Sequence, residues 1–191
     1  TVPNAIQSFF VSNRDGWRVE DPNGTVNATW VSDGGAGAIR YADTDSVDAA
    51  FFVAPAKFLG NLEAFYGGTI EASMRLDPDE SPSSPQTPTV KIVGSAGTRV
   101  HQSGPPPNRS ASYETLRFTI DESVSGWEFQ PSTGGGFAAA TEANIRAVLR
   151  NVTSVLMDAD FFGERIQIQR TGYQAAKASM ISRYQRPITS V

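Results

Sequence analysis

Apolar and polar residues alternate along much of the chain. In 69–76 every second residue is apolar and those between are mostly polar or charged, and the same two-residue period recurs in 113–121 and 165–169. Successive side chains of a β-strand point to opposite faces, so this period predicts strands with one buried face. The residues expected to point inward are Ile70, Met74, Leu116, Phe118, Ile120, Ile166 and Ile168.

Between residues 9 and 60, short aromatic or apolar runs are separated by Asn, Asp and Gly. Short strands at this spacing are typical of an all-β sandwich or barrel. The proline-rich segments 77–88 and 102–110 cannot continue a strand ladder, and we expect them to be long loops between strands.

Two segments have helical spacing instead. Thr141 is a suitable N-cap for a short internal helix, whose apolar side follows as Ile145, Val148, Leu149 and Val152. A second stripe extends towards Pro187 and predicts a helical tail; it consists of Tyr173, Ala176, Met180, Ile181 and Tyr184. These patterns divide the chain into an extension (1–8), an antiparallel sandwich (9–172) and a tail (173–191).

The charge changes sign near the C-terminus. Residues 165–191 contain five basic residues and no acidic ones, whereas all 20 acidic residues precede them. A short isolated helix is marginal in water and needs a surface that covers its apolar stripe. The tail is therefore predicted to dock either on the acidic body of this chain or on another chain. The candidate partner-binding residues are Tyr173, Lys177, Met180, Ile181, Arg183, Tyr184 and Arg186.

Composition narrows the chemistry. The 191 residues include no cysteine and one histidine, His101, which excludes disulfides and thiolate sites and argues against a Ser-His-Asp triad. The net charge of −4 argues against a nucleic-acid-binding surface. No apolar run approaches the roughly 20 residues that span a bilayer. The opening residues lack an initiator Met and a basic segment, so we expect a processed N-terminus and a secreted, extracellular or organelle-lumen location.

Three acidic residues, Asp43, Asp45 and Asp48, precede the apolar run at Phe51. Carboxylate oxygens at short spacing in a loop suit calcium, which needs no His or Cys. The alternative is a solvated turn. Calcium is the only cofactor that the sequence indicates.

Other acidic residues bear on catalysis. Asp158 and Asp160 are predicted to share one face of a strand, and Asp121 and Glu122 end another. A carboxylate-based hydrolase needs two such groups facing each other across a cleft. Nothing in the sequence brings them together, so we expect a solvated surface and no enzymatic activity.

Four Asn-x-Ser/Thr sequons occur, at Asn23, Asn27, Asn108 and Asn151. Such tripeptides mark potential N-glycosylation sites in secreted proteins, although they also arise by chance. Asn151 lies between the predicted helix and the next strand, where we expect the lowest accessibility.

The middle of the chain carries a distinctive motif. FFVAPAKFLGN at 51–61 and FYGGTI at 65–70 resemble the core signature of the laminin IV type A domain, also called the laminin B domain. Further similar segments occur in the same order as in that family, at 15–17, 90–95, 113–127 and 145–157. The resemblance covers about residues 9–172, and the basic tail lies outside it.

The resemblance implies a jelly-roll β-sandwich, related to carbohydrate-binding modules and galactose-binding-like domains, without catalytic activity. It implies core positions for Trp17 and Trp127, which leaves Trp30 as the candidate aromatic platform for a glycan. The bulky signature residues suit packing of the sandwich rather than a ligand site; they are Phe51, Phe52, Phe58, Phe65 and Tyr66.

These observations favour a non-catalytic interaction or scaffold module. It would act as an adhesion or matrix protein, or as an accessory subunit of a larger assembly, with other protein chains as partners. The absence of cysteine weakens the matrix alternative, because such proteins are rich in disulfides. A carbohydrate-binding module is the second hypothesis, and a carboxylate-based hydrolase is the third.

Overall fold

The computed structural model describes residues 5–21, 24–33, 36–41, 50–76, 89–95, 98–103, 112–124, 126–159 and 166–174. Within these ranges the strands form two sheets, and every strand pair is antiparallel. The apolar faces of both sheets contribute to one core. The prediction of an antiparallel, jelly-roll-like sandwich is therefore confirmed.

Six strands form the first sheet. They are β1 (Ala5–Phe9), β4 (Thr29–Asp33), β5 (Ala36–Tyr41), β7 (Thr69–Leu76), β10 (Glu114–Thr119) and β14 (Ile166–Gln174). The order across the sheet is β10-β7-β14-β5-β4. Strand β1 pairs with residues 170–174 of β14, whereas β5 pairs with residues 166–168 of the same strand. Strands β10 and β4 are thus edge strands of this sheet among the described residues.

Eight strands form the second sheet. They are β2 (Arg18–Asp21), β3 (Gly24–Asn27), β6 (Phe51–Val53), β8 (Thr89–Val93), β9 (Arg99–Ser103), β11 (Trp127–Gln130), β12 (Ala138–Ala139) and β13 (Ser154–Asp158). Their order is β12-β11-β9-β8-β13-β6-β2-β3. Strand β3 is an edge strand, and the single residue Ala28 joins it to β4 in the other sheet.

The strand alternation predicted the core correctly wherever side chains are described. Five residues expected to point inward are at most 7% exposed, namely Ile70, Met74, Leu116, Phe118 and Ile120. The side chains of Ile166 and Ile168 lie outside the described part of the molecule. Trp17 and Trp127 are also buried, as the family resemblance implied.

The internal helix α1 covers Glu142–Leu149. Thr141 is its N-cap and forms a capping box with Asn144, which satisfies backbone donors at the first turn. The predicted apolar face, including Val152 just beyond the helix, is buried.

Both ends of the sandwich differ from the predicted boundaries. Residues 5–8, expected to precede the domain, belong to β1 and pair with β14. Tyr173, expected to begin a helix, lies in β14 opposite Ile6 and Ile70. The tail therefore begins no earlier than residue 175, and residues 175–191 lie outside the described ranges.

Candidate interaction surface

The signature motif mainly builds the core. Phe52, Phe58 and Phe65 are at most 2% exposed, which confirms the packing role expected for them. Lys57 of the same motif forms a salt bridge with Asp15 and donates a hydrogen bond of 2.6 Å to the carbonyl of Gln7. The signature thus also fastens the N-terminal strand to the body of the sandwich.

Like Phe51, Tyr66 is only half-buried, in contrast to the other aromatic residues of the signature. It follows a short 3₁₀ turn (Glu63–Phe65), and the chain then turns into β7 at Gly67, whose φ is 75°. Gly67 donates a 2.8 Å backbone hydrogen bond to Ile120, which fixes the segment after β10 beside Tyr66. As a result, the Tyr66 hydroxyl donates a hydrogen bond to Glu122.

Helix α1 brings two arginines to the same place. The Leu62 amide donates a 2.7 Å hydrogen bond to the Leu149 carbonyl, so the 3₁₀ turn is held against the end of α1. The Arg146 guanidinium carbon then lies 3.9 Å from the centroid of the Tyr66 ring. Such a cation–π contact stabilises an exposed site by roughly 0.5–1 kcal/mol.

Glu63 connects the arginines. Arg150 donates two hydrogen bonds to its carboxylate, with N–O distances of 2.9 and 3.0 Å, in the bidentate geometry that favours arginine. Arg146 lies 3.9 Å from the same carboxylate and donates a 2.6 Å hydrogen bond to Glu142. We call Glu63, Tyr66, Arg146 and Arg150 the Tyr66 cluster.

An open pocket of about 460 Å³ lies beside the Tyr66 cluster. Its lining consists of Asn61, Glu63, Ala64 and Arg146. The side-chain oxygen of Asn61 accepts a hydrogen bond from the Glu63 amide, and the Glu63 carboxylate forms a salt bridge with Arg150. These polar side chains around the pocket are therefore held in position before any partner binds.

The electrostatics follow from this geometry. The hydrogen bonds from Arg150 stabilise the ionised carboxylate and hold the pKa of Glu63 below its ordinary value of 4.5. Burial, and then the neighbouring Glu122 carboxylate, raise the pKa of the Tyr66 hydroxyl above its ordinary value of 10.0, so the phenol stays protonated. The cluster is thus a neutral phenol surrounded by fixed, paired charges.

We expect an NMR pH titration to find the pKa of Glu63 below 4.5 in the folded chain and higher in the Arg150→Gln variant than in the wild type. Because the pKa of Glu63 is lower in the folded chain than in the unfolded chain, the Glu63–Arg150 pair stabilises the fold at pH values above 4.5. This contribution to the free energy of unfolding is lost as the pH falls through the lowered pKa. Arg117→Gln, which disrupts a separate ion pair with Glu71, should leave the Glu63 midpoint unchanged. An unchanged midpoint in Arg150→Gln would contradict the assignment.

Trp30, the candidate glycan platform, lies on edge strand β4 and is 37% exposed. Its indole N–H donates a 2.7 Å hydrogen bond to the carbonyl of Phe10. The exposed part of Trp30 is available for stacking with a sugar ring. Its indole N–H, however, is already engaged in a hydrogen bond within the fold.

The structure describes some of the candidate acidic residues but not others. Asp43, Asp45 and Asp48 lie outside the described ranges. Among the residues that are described, no group of three His, Asp or Glu side chains is placed to hold a metal ion. Asp158, expected on a solvated surface, is instead 5% exposed because it ends β13 within the sheet, opposite Phe51.

The structure also bears on the sequon at Asn151, the tail residues and the possibility of a membrane-spanning helix. Asn151 was expected to be the least accessible sequon, but it is exposed in the turn after α1. Apart from Tyr173, the candidate partner-binding residues of the tail are not described. None of the described helices has the length and apolar character required to cross a bilayer.

Sequence reasoning assigned Tyr66 to packing and did not identify the Tyr66 cluster. One signal was present, because Glu142, Arg146 and Arg150 recur every four residues and so line one side of α1 and its C-cap. The pairing of that face with Glu63 depends on contacts between distant segments, which the helix spacing does not reveal.

Comparisons with known proteins agree with the fold. The family model described as Laminin B (Domain IV) matches residues 51–185, which extends into the tail beyond the expected limit at 172. The laminin subunit gamma-1 of Xenopus tropicalis is 36% identical over 75 residues, and that of Homo sapiens is 36% identical over 74 residues. These alignments cover 39% and 38% of this chain but only 4% of each relative.

The structural comparison covers more of the chain. The L4b domain of human laminin alpha-2 aligns with a TM-score of 0.67, over 90% of this chain and 97% of that domain, at 11% sequence identity. A solution structure of CtCBM11 aligns with a TM-score of 0.47 at 14% identity, over 92% of this chain and 91% of that one. The first likeness supports the fold, and the second is too weak to support an argument.

Proposed function

Because the chain belongs to the laminin B (domain IV) family, we propose that it serves as a non-catalytic protein-interaction module of a larger extracellular assembly. The observation that carries this proposal is the family match, which spans the signature, α1 and most of the tail. The chain covers 4% of its laminin relatives, so its partners are inferred from the surface of the module.

The Tyr66 cluster is the surface that we propose for partner binding. Tyrosine and arginine are enriched among the residues that dominate binding energies at protein interfaces. Here their side chains are already held by Glu63, Glu122 and Glu142, so binding orders fewer rotamers and loses less conformational entropy. The Arg146 and Arg150 side chains remain 34% and 61% exposed, respectively.

Native mass spectrometry of the full chain, purified from its source, tests this function when combined with carboxyl-directed cross-linking. We expect a complex with a second protein, with cross-links from Glu122 or Glu142 that are lost in Arg146→Ala. Arg117→Ala is the matched control, because it removes one exposed, ion-paired arginine from β10 instead. A monomer, or a complex cross-linked only elsewhere, would overturn the proposed surface.

The basic tail is proposed as a second contact. Deletion of residues 175–191 leaves β14 intact and should preserve the sandwich, because the pairing of Tyr173 and Gln174 is retained. We expect the truncated chain to fold with an unchanged circular dichroism spectrum and to associate more weakly, particularly at low salt. Association of unchanged strength would remove the tail from the interface.

Calcium binding at Asp43, Asp45 and Asp48 remains a proposal. A ligand present at about 100 times its Kd stabilises the native state by about 2.7 kcal/mol, so chelation should lower the Tm of the purified chain. Calcium but not magnesium should restore the Tm, and Asp43→Asn combined with Asp45→Asn should abolish the response. An unchanged Tm after chelation would exclude a stabilising calcium ion.

Glycan binding is the second candidate function, favoured by the exposed part of the Trp30 ring. A glycan array compares the wild type with Trp30→Ala, and a signal lost in the variant would support this function over the protein-interaction surface.

We also propose that the module has no catalytic activity, and substrate turnover lost in Asp158→Asn would contradict that proposal.

A further inference from the structure

Two edge strands meet on one side of the sandwich. Strand β3 ends the second sheet and β4 ends the first, and the buried residue Ala28 joins them directly. All four residues of β3 are exposed, including Val26 with 53% of its surface accessible. Among the described strands, none pairs with the outer side of either one.

Exposed strand edges are a hazard for a folded protein. Their unpaired backbone groups are a template for pairing with another chain, and an exposed apolar side chain adds to the attraction. Proteins usually protect such edges with charged residues, prolines, bulges or a covering segment. Strand β3 carries no charged residue, and Val26 and the partly exposed Trp30 present apolar surface on the two edge strands.

The sequon Asn27-Ala28-Thr29 lies at this junction. Asn27 is the last residue of β3 and pairs with Arg18, whose side chain is exposed as well. Asn27 and Thr29 are both exposed, so the folded domain can carry a bulky group on the Asn27 amide without rearrangement of the core.

We propose that Asn27 is an N-glycosylation site, and that its glycan shields the β3–β4 edge from association with other chains. The modification requires passage through a secretory pathway, and the inference rests on the proposed extracellular function in that respect. Asn151, the other sequon asparagine among the described residues, is also exposed, but it follows Arg150 directly, so a glycan there would stand beside the Tyr66 cluster. A glycan on β3 lies on a strand that contributes no residue to that cluster.

The test is secretion of the full chain, with an added signal peptide, from a eukaryotic cell culture. Peptide-N-glycosidase converts a glycosylated Asn to Asp, and fragmentation of the peptide then distinguishes Asn27 from the nearby sequon at Asn23. We expect Asp at position 27 after enzyme treatment, and a mobility step of one glycan that is absent in Thr29→Ala. Thr29→Ser keeps the sequon and should retain the step, whereas Thr25→Ala removes only the sequon at Asn23.

A folded, secreted chain with unmodified Asn27, or with a glycan only at another sequon, would overturn the site. Shielding is tested by sedimentation, where Thr29→Ala should self-associate at lower concentration than Thr29→Ser, and equal behaviour would overturn that role. Peptide mapping of the chain from its own source tests the extracellular setting separately. Modification on heterologous secretion but not in the source would contradict the proposed setting and leave the site supported.

Discussion

Replacement of Trp17 by alanine is expected to destabilise the domain by roughly 3–5 kcal/mol, the range measured for large aromatic residues in protein cores. Trp17 is 1% exposed and packs edge-on against Phe10 and Phe58, with ring centroids 6.2 and 5.6 Å away. Its indole N–H donates a 2.9 Å hydrogen bond to the buried Ser8 hydroxyl. The truncation therefore leaves a cavity and removes the partner of a buried polar group.

Thermal unfolding measures this effect, and a loss of 3–5 kcal/mol corresponds to a fall in Tm of roughly 6–20 °C for a domain of this size. Phe9→Ala is the matched control, because Phe9 is 52% exposed and its truncation should change the stability far less. Trp17→Phe keeps a ring in the core and should lose less than Trp17→Ala. Equal effects of Trp17→Ala and Phe9→Ala would show that Trp17 does not hold the N-terminal segment to the signature.

The buried faces of the strands were predictable because they are a local property of the sequence. In β7 the apolar period alone gave the inward side chains, and the predicted range 69–76 coincides with the observed strand. The helix was predictable for a similar reason, since Thr141 and the apolar positions after it are specified within one short segment.

The ends of the domain were less predictable because they depend on distant partners. Residues 5–8 show no convincing alternation, and they form a strand only because β14 offers a free edge beyond its pairing with β5. Tyr173 fits a helical stripe as well as a strand, and its pairing with both β1 and β7 decides between them. Local spacing carries no information about either edge.

The Tyr66 cluster illustrates the same limit at the candidate site. Its residues belong to two segments about 80 positions apart, which are joined by the bridge between Gly60 and Val152 and by the bond from Leu62 to Leu149. Because these are contacts between backbone atoms, the pattern of apolar and polar side chains along the sequence does not predict them. Tyr66 stands in a run of core residues and does pack against the core, but it is only half-buried and also contacts Arg146, which the run of core residues does not predict.

The second large effect is expected for Gly37→Ala. Gly37 lies in β5 opposite Ser32, and the N-terminal segment crosses directly over it. A Cβ atom at this position would lie 1.5 Å from the carbonyl oxygen of Phe10 and 2.6 Å from the indole nitrogen of Trp30. The first contact involves backbone, so a side-chain rotation cannot relieve it, and the hydrogen bond between Trp30 and Phe10 must break.

Overpacking of this kind typically costs about 1–3 kcal/mol, and we expect Gly37→Ala at or above the top of that range because a backbone segment has to move. Urea unfolding measures the loss, and failure of the variant to fold would also agree with the prediction. Gly136→Ala is the control, since a Cβ there meets no atom within 4 Å and the backbone is compatible with alanine. That change should be neutral or stabilise the domain by about 0.4–1 kcal/mol through the unfolded state. If both variants unfold at the wild-type urea concentration, the N-terminal segment does not pack against β5 as the structure shows.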